Sequence, residues 1–68
     1  MKDDQHLDEQ ISKLEKTLFA IAANGHVMKE IVKSLLEFAN MQVDLDQFTL
    51  NELGEVNCSD VIDHLRNQ

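Results

Sequence analysis

The chain has 68 residues, the size of one small domain, and its single cysteine excludes an internal disulfide. A chain this short buries only about 60% of the surface it exposes when unfolded, so association with another chain is the expected source of extra stability. The net charge of −7 is uneven, because residues 1–36 carry six acidic and five basic side chains whereas residues 37–68 carry seven acidic side chains and one arginine. The second half therefore repels phosphate backbones and favours basic surfaces.

The sequence predicts no membrane segment. The longest apolar run, residues 18–23, is far shorter than the about 20 residues that a spanning helix needs. The first residues lack the apolar core of a secretory signal, and an unpaired thiol fits a reducing compartment. We expect one domain over residues 1–68, located in the cytoplasm.

Apolar residues spaced four and three apart predict a first helix over residues 5–24. They form two heptads of an a/d seam, namely Leu7, Ile11, Leu14, Leu18 and Ile21. Gly25 then stands where a left-handed residue ends a helix. The seam favours a homodimeric bundle, although packing within a helical hairpin would produce the same pattern.

A second helix is predicted over residues 26–40, and its apolar face is unusually wide. The face covers about 180° of the helix, more than the ~100° stripe that packs on one neighbour. The remainder must meet the C-terminal segment, a second copy of the chain, or a partner. The candidate interface residues on this face are Met28, Val32, Leu35, Leu36 and Phe38.

The rest of the chain predicts an extended link and two short helices. Residues 41–46 alternate apolar and polar, as extended chain does. Thr49 and Glu52 have the spacing of a capping box, which predicts a short helix before Gly54. A further short helix is expected over residues 59–65, with Asn57 or Ser59 as its N-cap. No internal repeat is evident, and the predicted fold class is all-α: a helical hairpin, a link and two short helices.

The segment around Cys58 is a candidate active site, but helix capping explains it better. Asp60 and Asp63 fall in the first turn of the predicted helix, where carboxylates are favoured. A nucleophilic cysteine needs a base within hydrogen-bond reach. Cys58 and His64 are six residues apart, about 9 Å along a helix and on different faces. We therefore expect no enzyme and no cofactor.

Metal binding is also disfavoured. His6, His26 and His64 lack the spacing of helical zinc ligands. A calcium loop that starts at Asp44 would place Phe48 and Thr49 where an oxygen ligand and a glycine are required. No metal site is expected.

The leading hypothesis is a non-enzymatic interaction module, a small regulator or adaptor that acts by protein-protein contact as a homodimer. Its acidic surface would select a basic partner and speed encounter; the candidate residues are Asp44, Asp46, Glu52, Glu55, Asp60 and Asp63. As an alternative, the same carboxylates would imitate a phosphate backbone and inhibit a nucleic-acid-binding protein. As a third, residues 49–65 resemble a helix-turn-helix unit, which implies DNA binding, but Arg66 alone opposes two aspartates there.

Overall fold

The computed structural model describes the backbone of residues 2–67 and the side chains of residues 7–67. It is predominantly helical and also contains a two-stranded antiparallel sheet. The elements in chain order are α1 (Lys2–Ile21), β1 (His26–Met28), α2 (Lys29–Phe38), a 3-10 turn (Leu45–Gln47), β2 (Glu55–Asn57) and α3 (Cys58–Arg66). The mostly helical prediction is confirmed, but the all-α class is wrong because of the two strands. Within residues 2–67, no helix is long and apolar enough to cross a bilayer.

Helix α1 follows the a/d seam at its centre. Ile11, Leu14 and Leu18 are buried, whereas Leu7 is 43% and Ile21 50% exposed. The helix ends three residues earlier than predicted, because Asn24 and Gly25 both adopt left-handed backbone conformations, with φ of 55° and 80°. Gly25 thus has the backbone conformation that the sequence analysis assigned to it.

Strand β1 replaces the first turn of the predicted second helix. The left-handed turn at residues 24 and 25 reverses the chain, and β1 then pairs with β2 so that Val27 lies opposite Val56. Both valines are buried, and β-branched side chains favour extended backbone in such a setting. The second helix therefore covers residues 29–38 and not 26–40.

The two strand–helix segments form a structural repeat that the sequence analysis missed. Gly25 and Gly54 have nearly the same φ, 80° and 78°, and each is followed by a strand and then a helix. The amide of Cys58 donates to the carbonyl of Gly25 over 2.9 Å, and the amide of Lys29 donates to that of Gly54 over 3.4 Å. These two bonds join matching positions of the two segments, one on each side of the Val27–Val56 pair. The repeat therefore joins the halves of the chain through an antiparallel strand pair.

In the segment between the repeats, residues 41–44 form a link, whereas residues 45–46 and 49–53 differ from the prediction. Residues 41–44 form no strand, and the Asp44 carboxylate accepts a hydrogen bond from the Asp46 amide at the start of the 3-10 turn. The helix predicted from Thr49 and Glu52 is absent from residues 49–53, which form a turn around Asn51. The few residues before Gly54 cannot offset the free energy of helix nucleation, and an asparagine side chain competes for backbone amides. The helix-turn-helix interpretation loses its first helix.

Helix α3 starts and packs as the sequence predicts. The Asn57 side chain caps it by accepting a hydrogen bond from the Asp60 amide over 3.2 Å. Its buried face packs on α1, and the Arg66 guanidinium donates to the Glu15 carboxylate over 2.9 Å. One core results, and its buried members are Ile11, Leu14, Leu18, Val27, Val32, Leu36, Leu45, Val56, Cys58, Val61, Ile62 and Leu65.

Candidate interaction surface

Cys58 is a core residue in this fold. Its side chain is fully buried, and the thiol lies 3.9 Å from the Leu18 carbonyl oxygen. Burial raises the pKa of the Cys58 thiol, since the charged thiolate is poorly solvated there. A protonated, inaccessible thiol is a poor nucleophile. The polar residue before it, Asn57, forms the helix cap described above.

The histidines do not gather into a site among the described side chains. His26 Nδ1 lies 3.0 Å from the Asn24 carbonyl oxygen, in the turn before β1. His64 meets the Phe48 ring edge-on, with 5.6 Å between ring centroids, and its Nε2 lies 3.4 Å from Gln47 Nε2. The His6 side chain, also considered as a ligand, lies outside the described side chains. No three His, Cys, Asp or Glu residues among those described are grouped to hold a metal ion.

Calcium binding is better tested by placing Gly25 or Gly54 at the sixth position of a calcium loop than by starting the loop at Asp44, because both glycines are left-handed. A calcium loop has glycine at its sixth position and oxygen ligands at positions 1, 3, 5 and 12. Counting from Gly25, those positions hold Ala20, Ala22, Asn24 and Ile31; counting from Gly54, they hold Thr49, Asn51, Leu53 and Asp60. The first loop offers one oxygen side chain, and the second lacks the bidentate glutamate. Neither ligand set fits Ca²⁺.

The predicted interface residues of the second helix separate into a buried and an exposed group. Val32 and Leu36 are 0% and 2% exposed, so they belong to the core of the single chain. Leu35 is half-buried, Met28 is exposed, and Phe38 is 90% exposed at the last residue of α2. The wide apolar face is thus divided between the core and the surface. Only its outer part is accessible to a partner.

Beside Phe38, an open groove of about 400 Å³ runs between α1 and α2. Its apolar lining consists of Leu14, Leu35, Phe38 and Ala39, and its polar lining of Gln10, Lys13 and Thr17. Sequence reasoning named the α2 side of this groove but missed the α1 side. The seam on α1 included Leu14, but periodicity does not show which neighbour a seam residue faces.

The predicted acidic residues all lie in the second half of the chain, and three of them make local hydrogen bonds or ion pairs. Asp44 caps the 3-10 turn, and Glu55 Oε1 accepts a hydrogen bond from Asn51 Nδ2 over 3.1 Å. Asp46 pairs with the Lys29 ammonium, and this hydrogen bond lowers the pKa of the Asp46 carboxyl. Glu52, Asp60 and Asp63 are exposed. The acidic character of residues 39–67 therefore reaches the surface at the 3-10 turn, on the loop before β2 and on α3.

No family model, curated protein or solved structure matches the chain. The functional assignment therefore depends on the geometry and the charges described above.

Proposed function

We propose that the protein is a non-enzymatic interaction module, a small regulator or adaptor that acts as a homodimer and binds a basic partner protein. The observation that carries this proposal is the separation of two surfaces. An apolar groove with a 90% exposed phenylalanine lies between α1 and α2, and the carboxylates of residues 39–67 lie on other elements.

The two surfaces suit two different contacts. Large apolar side chains exposed together are typical of protein interfaces, and Phe38, Ile31 and Ile21 are exposed on the two groove helices. Carboxylates on a rim steer a basic partner and raise its rate of association. The homodimer uses the first surface, and the partner uses the second.

The test is capture of a partner from nuclease-treated lysate by matched charge variants. Glu52→Lys combined with Asp63→Lys removes acidic charge from the proposed partner surface. Asp8→Lys combined with Glu9→Lys makes the same change in net charge on exposed positions of α1. We expect one stoichiometric partner that the wild type and the α1 variant retain, that the other variant loses, and that salt releases.

Equal capture by both variants would contradict selection by the acidic surface. Recovery of only the protein's own copies would contradict the adaptor function and leave a structural homo-oligomer.

A further inference from the structure

We propose that the groove between α1 and α2 holds the Phe38 side chain of a second copy of this chain, in a two-fold symmetric dimer. This inference rests on the proposed homodimer and specifies its contact. Phe38 is the inserted side chain, and the groove between α1 and α2 of the other copy is its binding site.

The projecting side chain and the groove lie next to each other. Phe38 is 90% exposed at the end of α2, and the groove beside it is lined by Leu14, Leu35 and Ala39. A phenylalanine side chain buries about 150–250 Å² when it enters an apolar site. A groove of about 400 Å³ has room for such a ring. An aromatic ring that enters the groove would cover the apolar side chains of its lining.

A two-fold arrangement satisfies both copies at once. In an isologous interface, each residue that contacts a site on the partner has its own site contacted in return. Phe38 of one copy then enters the groove of the other, and the second Phe38 enters the groove of the first. The assembly closes at two copies and leaves neither groove open.

The distribution of charge favours a second copy over a basic partner at this groove. Residues 2–38 carry seven acidic and five basic side chains, whereas residues 39–67 carry six acidic side chains and Arg66. Two copies of an acidic protein repel each other least where their charges nearly balance. Lys13 is the charged side chain among the described residues that line the groove. Its ammonium group would repel a basic segment of a partner protein. Contact through α1 and α2 brings the less acidic parts of the two copies together.

The first test compares the same substitution at two exposed apolar positions. Phe38→Asp places a carboxylate in the proposed contact, and Leu53→Asp places one at a 73% exposed position outside the groove lining. Light scattering and sedimentation equilibrium should show twice the chain mass of 7.8 kDa for the wild type and for Leu53→Asp. Loss of a buried aromatic anchor weakens association by about tenfold or more. Phe38→Asp should therefore be monomeric at the same concentration, with an unchanged circular dichroism spectrum.

A second test uses complementary variants. Thr17 is an exposed residue of α1 that lines the groove, so Thr17→Arg places a guanidinium there. Arginine is a good helix former, and the substitution should leave α1 intact. Each variant alone should be monomeric. A mixture of Thr17→Arg with Phe38→Asp should dimerise, because the groove of the Phe38→Asp copy keeps Thr17 and receives the Phe38 ring of the other copy, whereas the second groove pairs the new carboxylate with the new guanidinium. Recovery of mixed dimers would show that residue 38 meets residue 17 across the interface.

Two results would overturn the inference: a wild type that stays monomeric at all concentrations, or a dimer that Phe38→Asp leaves as tight as before. Either result would leave the partner-capture experiment above unaffected, because that experiment probes carboxylates outside the groove. Loss of charge-selective capture with an intact Phe38-dependent dimer would instead overturn the adaptor function and leave the dimer standing.

Discussion

Cys58 lies where α3 begins, between the β2 strand and the core, and its environment defines its role. The side chain is fully buried, and the chain has no second thiol for it to pair with because it has one cysteine. Its thiol contacts the Leu18 carbonyl of α1, so it contributes to the packing of α3 on α1. Of the neighbouring polar residues that suggested chemistry in the sequence, Asn57 caps the helix and Asp60 lies in its first turn. Asp63, predicted in the first turn, lies further along the helix, and His64 lies in its last turn.

Burial raises the pKa of the Cys58 thiol, and the free energy of unfolding should therefore fall at alkaline pH. A thiol whose pKa is higher in the folded state contributes stability that is fully present below its unfolded pKa, about 8.5, and is lost as the pH rises through the folded pKa. We expect the free energy of unfolding of the wild type to fall more steeply above about pH 8.5 than that of Cys58→Ala. Urea unfolding at a series of pH values measures both slopes, and parallel slopes would contradict a desolvated thiol.

At the scale of elements, the turn before β2 shows how one side chain decided local structure. Asn51 Oδ1 accepts hydrogen bonds from the amides of Leu53 and Glu55, each over 2.9 Å, and the Gly54 amide donates to the Asn51 carbonyl over 3.0 Å. Gly54 then takes the left-handed conformation that starts the second repeat. These hydrogen bonds stabilise a turn in place of the helix that the capping-box spacing of Thr49 and Glu52 predicted.

Replacing Asn51 should therefore destabilise the protein, and replacing Thr49 should not. Asn51→Ala removes the acceptor for two backbone amides, and losses of this kind cost about 1–2 kcal/mol. Thr49→Ala changes an exposed residue that caps no helix. Urea denaturation of both variants measures the difference. Equal losses of stability would mean that Thr49 is a cap after all.

At the scale of the whole molecule, the two halves share one core. Segments 25–36 and 54–65 are identical only at one glycine and three apolar positions. The apolar pairs, Val27 with Val56, Val32 with Val61 and Leu36 with Leu65, are all buried. The repeat preserves the turn and the core positions while the exposed residues differ, and this is why it was not evident from the sequence. Because α1 packs on α3, the second half completes the core of the first.

A charge introduced into α3 should therefore unfold α1 as well. Val61→Asp buries a carboxylate at a fully buried position, and an unpaired buried charge is among the most destabilising of substitutions. Ser59→Asp introduces the same group at an exposed position in the first turn of α3, where the helix dipole favours it. Far-UV circular dichroism should show loss of most helix in the first variant and none in the second. Retention of the α1 signal in Val61→Asp would mean that the two halves fold independently.

The sequence alone determined the features that depend on neighbours along the chain. Periodicity predicted α1 and α3, residue type predicted the left-handed Gly25 and limited the cap of the last helix to Asn57 or Ser59, and the count of charges predicted an acidic second half. Tertiary structure decided the rest: β1 formed instead of a helical turn because β2, distant in sequence, supplied its hydrogen bonds. The apolar face of α2 was divided between core and surface by the packing of other elements, which no pattern within α2 encodes. The groove lining from Gln10 to Ala39 arose in the same way, since a groove needs two helices and their separation is a property of the folded chain.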